Sequence, residues 1–488
     1  MDHQPTESKR QCKNTATYGE YIKYRQQANP CITGSENFIK NTILPTDSCR
    51  IYALEYAIGE KETDRSREVQ QVHPDDISSV LAPPPPSIRR RIIIIEDLHP
   101  SMIETLGESL DIDPICLADY LRTNNENFEN MPSPPAVSLP PSHAMTRENW
   151  FNIHFQQIIS LGTEETFRDA PWILKTSANV SRNVRRLLPI SGRQIGIVRG
   201  CCSMFVKTTC QYCIGIIFVD STTADIDCGP SIGRVPKIPF HGGIEDFRRP
   251  LSFSEFQSSR RHLNASAATT STSLLHIVKD ALAKSPPVLE GDRLCILDLA
   301  YYPVRTVIGE WMLYTQVLGR YIGHYECSFI DTKAVPHNVH ENNDMADVRR
   351  WRHRVIQTRS MIQSTRQFIK YRLEQLKPAK PERGPWDLVL RDLDYLSSRI
   401  EFQGLSLESL VPVVTSVYQL LDSRRSIAEA VNVRRLTIIA LIFVPLSWVA
   451  SVFSMGEDFA PGQPKFWLYF VVSIPLCAVI VAFSFIAV

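Results

Sequence analysis

The chain has 488 residues, 43% of them hydrophobic and 22% charged, enough material for two or three folded units with cores of their own. Its 53 basic and 52 acidic side chains leave a formal charge of +1, so no global field draws it toward nucleic acid. Twelve cysteines without a repeated spacing, and a start, MDHQPTESKR, that lacks an apolar signal core, argue for a soluble part in a reducing compartment rather than a disulfide scaffold.

Residues 1–82 are polar and weakly periodic, and carry no fold assignment. A domain of α+β type is expected over 83–330. Arg91 to Asp97, RIIIIED, has the β-branched run of a strand buried on both faces, and helical patterns follow at Pro100 to Leu110 and Asp113 to Leu121. Further strands are expected at Trp150 to Leu161, Arg193 to Val198, Ser203 to Lys207 and Tyr212 to Val219. Helices return at Ser273 to Ala283 and Tyr302 to Tyr325. Loops or disordered regions are expected at Leu81 to Pro86, with four consecutive prolines, at the Pro/Ser-rich Met131 to Ser142, and at the Ser/Thr tract Arg248 to Ser273.

The chemistry of enzymes is missing from this inventory. No phosphate-cradling glycine loop, paired zinc histidines or nucleophile elbow occurs, and no enzyme is expected. Cys210 and Cys213 form a CxxC near Cys201 and Cys202, but without a second ligand pair the pattern reads as thiols of an apolar strand. No resident cofactor is expected.

Two long helices, predicted at Asn343 to Leu376 and from Trp386 onward, form an antiparallel, coiled-coil-like stalk over 343–435, with the Gln403-Gly404 step and Pro412 as expected kink or break points. From Leu436 to Phe453, and again from Phe466 to Val488, there is no Asp, Glu, Lys, Arg or His. Each run matches the roughly 20 residues a helix needs to cross a hydrocarbon core of about 30 Å. The expectation is therefore a multi-pass membrane protein with a two-helix hairpin: spans at 436–453 and 466–488, joined by a loop at 454–465 too short for a domain. Arg424, Arg425, Arg434 and Arg435 precede the first span, whereas the loop holds Glu457 and Asp458 against Lys465. By the positive-inside rule the N-terminal part is cytosolic and the loop faces out. The identity of the membrane stays open.

Along the first span Thr437, Ala440, Val444, Ser447, Ser451 and Ser454 recur at spacings of three and four, a stripe of small and partly polar side chains. Such a stripe serves close helix packing or lines a wet path, and the spacing alone leaves both open.

LTIIALIFVPLSWVASVFSMG resembles the pore helix of the CorA-like magnesium transporter family, whose first span ends in a glycine-methionine-asparagine signature. The long helix entering the membrane, the short acidic loop and the second span follow in the family's order. RRSIAEAVNVRRLT resembles the stalk-to-membrane junction of fungal members, and IIIIEDLHPSMIETLGESLDIDP the family's N-terminal strand and helices. The resemblance implies an αβα cytosolic domain and a homopentamer whose five first spans surround one axial pore. It also implies a divalent cation, magnesium, as cargo, and closure when magnesium binds between cytosolic domains. On that reading Ser447 and Ser451 line the path, Val444 forms an apolar constriction, and Asp422 is a candidate for the inner entrance. Ser454, Met455 and Gly456 stand where the family has its signature, so the methionine survives and the asparagine, with its ring of side-chain carbonyls, does not. Glu457 and Asp458 are either cation attractors at the mouth or ordinary loop acids. The expected function is passive divalent-cation transport. The rival is a non-conducting, membrane-anchored oligomeric scaffold or sensor built on the same fold.

Overall fold

The computed structural model describes residues 16–40, 49–57, 68–121, 145–146, 149–168, 170–189, 192–230, 232–239, 253–254, 257, 274–284, 294–330, 341–376, 384–455 and 462–486. The chain divides into two compact units, Met1–His324 with Arg349–Ser406, and Tyr325–Val348 with Leu407–Val488. The Pro/Ser stretch at 131–142 and nearly all of 248–273 lie outside the described residues.

In the first unit eleven strands form one mixed sheet. They are β1 (Arg50–Ala57), β2 (Gln70–Val72), β3 (Ile88–Glu96), β4 (Trp150–Thr163), β5 (Ile173–Thr176), β6 (Asn183–Arg186), β7 (Arg193–Thr208), β8 (Cys213–Val219), β9 (Ile226–Asp227), β10 (Arg234–Val235) and β11 (Ile238–Pro239). The path runs β10-β9-β5-β6-β7-β8-β3-β1-β2, with β4 pairing both β7 and β11. At its centre β3 and β8 are parallel, Arg90 opposite Cys213 and Glu96 opposite Val219, while β1 flanks β3 antiparallel.

Helices cover both faces, as the αβα-like expectation has it. One face packs against α1 (Tyr18–Ala28), α2 (Thr33–Ile39), α3 (Ile77–Leu81), α4 (Met102–Leu110) and α5 (Pro114–Leu121) in a single apolar cluster that takes Ile51, Ile93, Ile95, Ile214, Ile216 and Phe218 from the sheet. The other meets α6 (Leu274–Lys284) and α7 (Ile296–Ile330): the Tyr56 hydroxyl donates to the Leu282 carbonyl, and a Cβ at Gly215 would collide with Leu299. α8 (Glu341–Leu376) adds Phe368, stacked 4.1 Å from Phe151 of β4. RIIIIE therefore shows no polar-apolar alternation, since every one of Ile92 to Ile95 is fully buried.

Several expectations change. β7 is one strand where two were expected, because Gly200 continues it: a Cβ there would sit 2.7 Å from the Phe155 ring, so the break in apolar pattern marks close packing. β5 and β6 are too short to stand out in the sequence. The sheet domain draws on residues before 83, since α1, α2, β1 and β2 belong to it. α9 (Pro385–Phe453) runs on through both Gly404 and Pro412. At Gly404 the missing side chain admits Val355 of α8, and Gln403 donates to the Thr315 carbonyl of α7 at 2.7 Å, so the Gln-Gly step is a packing contact. One turn on, the Thr415 and Ser416 hydroxyls bond back to the Val411 and Pro412 carbonyls, keeping this stretch hydrogen-bonded beside the proline. With 69 residues α9 is about 100 Å long at 1.5 Å per residue.

In the second unit α10 (Trp467–Ile486) lies antiparallel to the C-terminal part of α9. Tyr469 reaches the Leu446 carbonyl and the Phe453 ring, and Cys477 reaches the Ile442 carbonyl.

Candidate functional site

Among the described residues α9 is the one helix long and apolar enough to cross a membrane, and α10 is apolar over the shorter stretch Trp467–Ile480. The two lie side by side, and their contact sorts the side chains of α9. Ile442, Pro445, Leu446, Val449 and Phe453 form the line that meets α10, with Pro445 and Val449 buried. Thr437, Ala440, Val444, Ser447, Ser451 and Ser454 are all exposed in the single chain. At 3.6 residues per turn the mean directions of these two lines lie roughly 170° apart. The stripe therefore does not serve the packing of α10.

Two stripe hydroxyls donate into their own helix. Thr437 bonds the Val433 carbonyl at 2.9 Å, and Ser447 bonds the Phe443 carbonyl at 2.7 Å and the Val444 carbonyl at 3.1 Å. A hydroxyl satisfied in this way presents its oxygen lone pairs outward as an acceptor, which is the polarity the water shell of a cation requires. The flanks between the two lines carry Ile439, Phe443, Trp448 and Val452, large, apolar and exposed, which suits contact with hydrocarbon.

Met455 comes after the stripe at the helix end, almost wholly exposed. Gly456, Glu457 and Asp458 lie outside the described residues, so of the residues expected at the mouth only Ser454 and Met455 are described. Asp422, about four turns before the apolar run, is exposed on α9, as are Arg424, Arg425, Arg434 and Arg435. Arg425 pairs with Glu429 at 3.4 Å.

Ser473 of α10 carries no prediction from sequence. It lies between Tyr469 and Cys477 at helical spacing, is 1% exposed, and its hydroxyl has no partner among the described residues. The signal was the same spacing of four, Tyr469-Ser473-Cys477, in a run whose hydropathy dominates its pattern.

Of the CxxC pair only Cys213 is a thiol of the sheet, since Cys210 is exposed in the turn between β7 and β8. Cys201, Cys202 and Cys213 are buried on β7 and β8, and burial pushes the first two well up, which leaves them unreactive. No cluster of three metal-ligating side chains occurs among the described residues.

Residues 323–488 match the sequence model of the CorA-like Mg2+ transporter protein family. Over those residues, about a third of its length, the chain is similar to that family. The matched segment contains the whole of α8, α9 from end to end and α10, and so both helices that build the stripe and its backing. No curated protein matches the chain. Among solved structures, the complete structure of the CorA magnesium transporter from Methanocaldococcus jannaschii aligns at 10% identity over 89% of this chain and 96% of that one, with a TM-score of 0.36. At that score the likeness carries no argument about this chain. That family is described as one of Mg2+ transporters, and the one helix among the described residues that is long and apolar enough to cross a membrane falls inside the matched residues.

Proposed function

We propose that the protein is a membrane channel for divalent cations, magnesium foremost, in which several copies of α9 surround a wet axis. The observation that carries the reading is the position of the stripe Thr437 to Ser454, on the side of α9 opposite α10 and free of large side chains. A lone tether would have no use for one hydroxyl-bearing line that its own partner helix leaves bare.

α9 and α10 would both span the bilayer, with the four arginines on the cytosolic side and the loop outside. Exposed apolar side chains on α9 recur by sevens, Leu388, Tyr395 and Phe402, then Val413, Leu420 and Ile427, the repeat of helices that pack against copies of themselves. Five copies would bring five Val444 side chains to one level as a dewetting constriction, with Ser447 and Ser451 as hydrated lining above it. Ser454, Met455 and Gly456 would form the mouth, Glu457 and Asp458 would concentrate cations there, and Asp422 would do so at the inner entrance. Transport would be passive, down the electrochemical gradient. Magnesium would pass with its water attached, since the ion gives up water reluctantly and hydroxyl acceptors replace only the outer shell.

A second reading has one observation in its favour. Gly456 offers no side-chain carbonyl where the family's signature has asparagine, and a mouth without that ring favours a non-conducting oligomeric scaffold or sensor.

The test is uptake by cells deficient in magnesium transport. The wild type, or the chain with Ser454→Gly and Gly456→Asn, should restore growth on low magnesium, and cysteines at 447 and 451 should react with a membrane-impermeant thiol reagent while one at 443 does not. Failure of both forms to restore uptake, in an oligomer that reaches the membrane, would favour the scaffold. A monomer with unreactive 447 and 451 would end both readings.

A further inference from the structure

The bridge between α3 and β3 is four consecutive prolines on the surface of the sheet domain, remote in sequence from the stripe. Each of Ala82, Pro83, Pro84 and Pro85 precedes a proline, which pushes it out of the helical region, and Pro83 to Pro86 have φ fixed by their rings. Residues 83–85 thus have both dihedrals set to the polyproline II helix by covalent structure alone. Ala82, at φ −60° and ψ 152°, already stands in that conformation, and the peptide bonds are trans.

The bridge is also held at both ends. Before it, the guanidinium of Arg91 donates to the Val80 carbonyl at 2.5 Å and to the Ala82 carbonyl at 2.9 Å, and is itself fixed by Glu55 at 2.6 Å. After it, the Ile88 N–H closes a turn onto the Pro85 carbonyl at 2.8 Å, with Pro86 at the position in that turn that proline prefers. Leu81 is buried beneath. A polyproline II helix has three residues per turn, so Pro83 and Pro86 share one ridge, Pro85 lies on the second and Pro84 on the third. The exposure follows that threefold pattern: Pro83, Pro85 and Pro86 are exposed, and Pro84 alone is half-buried. Two ridges point to solvent and one to the body of the domain.

We propose that Ala82 to Ser87 is a docking site for a protein module with an aromatic-lined groove, of the SH3 or WW kind. Such grooves take proline rings between flat aromatic side chains and donate to the carbonyls of a chain that has no N–H of its own to offer. Their ligands owe affinity to a conformation fixed before binding, and here both the rings and the Arg91 clasp fix it. The site is independent of the transport reading, since every residue in it belongs to the sheet domain.

Purified SH3 and WW domains, immobilised as a set, are exposed to the full chain in detergent. At least one member should bind, a free peptide spanning Leu81 to Arg89 should displace it, and Pro83→Ala with Pro86→Ala should weaken binding by about tenfold or more, equivalent to about 1.4 kcal/mol. Pro84→Ala, on the inward ridge, should weaken it less. No binding by any member, or binding that survives the Pro83 and Pro86 substitutions, overturns the proposal. Should the double variant fail to fold, the peptide decides: binding to the wild type that the peptide cannot displace overturns it.

Discussion

The two units use the same residue types against opposite surroundings. In the sheet domain Ile92 to Ile95 are at 0% exposure, and the buried Arg182 guanidinium donates to Asp220 at 2.5 Å and to the Tyr120 carbonyl at 3.0 Å. In the α9–α10 pair Leu436, Phe443, Val444 and Trp448 stand at 64–66% exposure with nothing of their own chain over them. Hydrophobic burial is complete along the central strand β3 of the first unit and unfinished in the helix pair of the second. On the proposed reading lipid covers the flanks and further copies cover the stripe.

The sharpest way to break that contrast is within the sheet domain. Arg182→Ala takes the closest charge partner from the largely buried Asp220 carboxylate, leaving it the Cys201 N–H and the more distant Lys237, and should cost about 3 kcal/mol, read as a large fall in melting temperature. An unchanged melt would mean that this pair does not stabilise the core. In the second unit the reverse is expected: Ser447→Leu fills the stripe and should abolish uptake with the melting temperature kept, whereas Phe443→Leu on the flank should leave uptake near wild type. Equal loss from both would refute a functional difference between the two faces.

A subtler probe lies at Glu310 of α7, half-buried against β4. Burial raises its carboxyl from 4.5 to about 7, against the opposing pull of the Gln157 hydrogen bond at 3.1 Å and of Lys237. Because the folded state holds the proton more tightly than the unfolded chain does, the contribution of Glu310 to stability is fullest below about pH 4.5 and is lost as pH rises through about 7. Glu310→Gln should flatten that part of the profile in pH-dependent denaturation, and an unaltered slope would remove Glu310 as its source. The smallest effect belongs to Arg425→Ala. Its pair with Glu429 is exposed on both sides, and the loss should stay within about 0.5 kcal/mol.

How much of the molecule was legible depended on whether the controlling physics was local. α7, α8, α9 and the apolar runs follow from helical periodicity and hydropathy, which a short window contains. β7 reads as two strands in the sequence because Gly200 answers to Phe155, a residue of another strand. α1 and α2 do not stand out in the sequence because their faces are mostly polar, and the few buried anchors, Tyr18 and Ile22 of α1 and Ile32 in the turn before α2, gain meaning only against α4 and α5. For the site, the stripe was visible as a pattern, but whether it packed on its neighbour could be decided only once Tyr469 and Cys477 fixed the opposite line. The mouth residues Gly456, Glu457 and Asp458 remain expectations from sequence.

The parallel pairing of β3 with β8 bears on biosynthesis. Glu96 must wait for Val219, about 120 residues later, and at 5–20 residues per second that is roughly 6–25 s on the ribosome. During that interval Ile92 to Ile95 form a β-prone, uncharged segment lacking one of its two neighbours, the composition that invites cross-chain aggregation. Nascent-chain chaperones should therefore engage this protein between the emergence of those two strands, and shortening the intervening stretch should ease its expression.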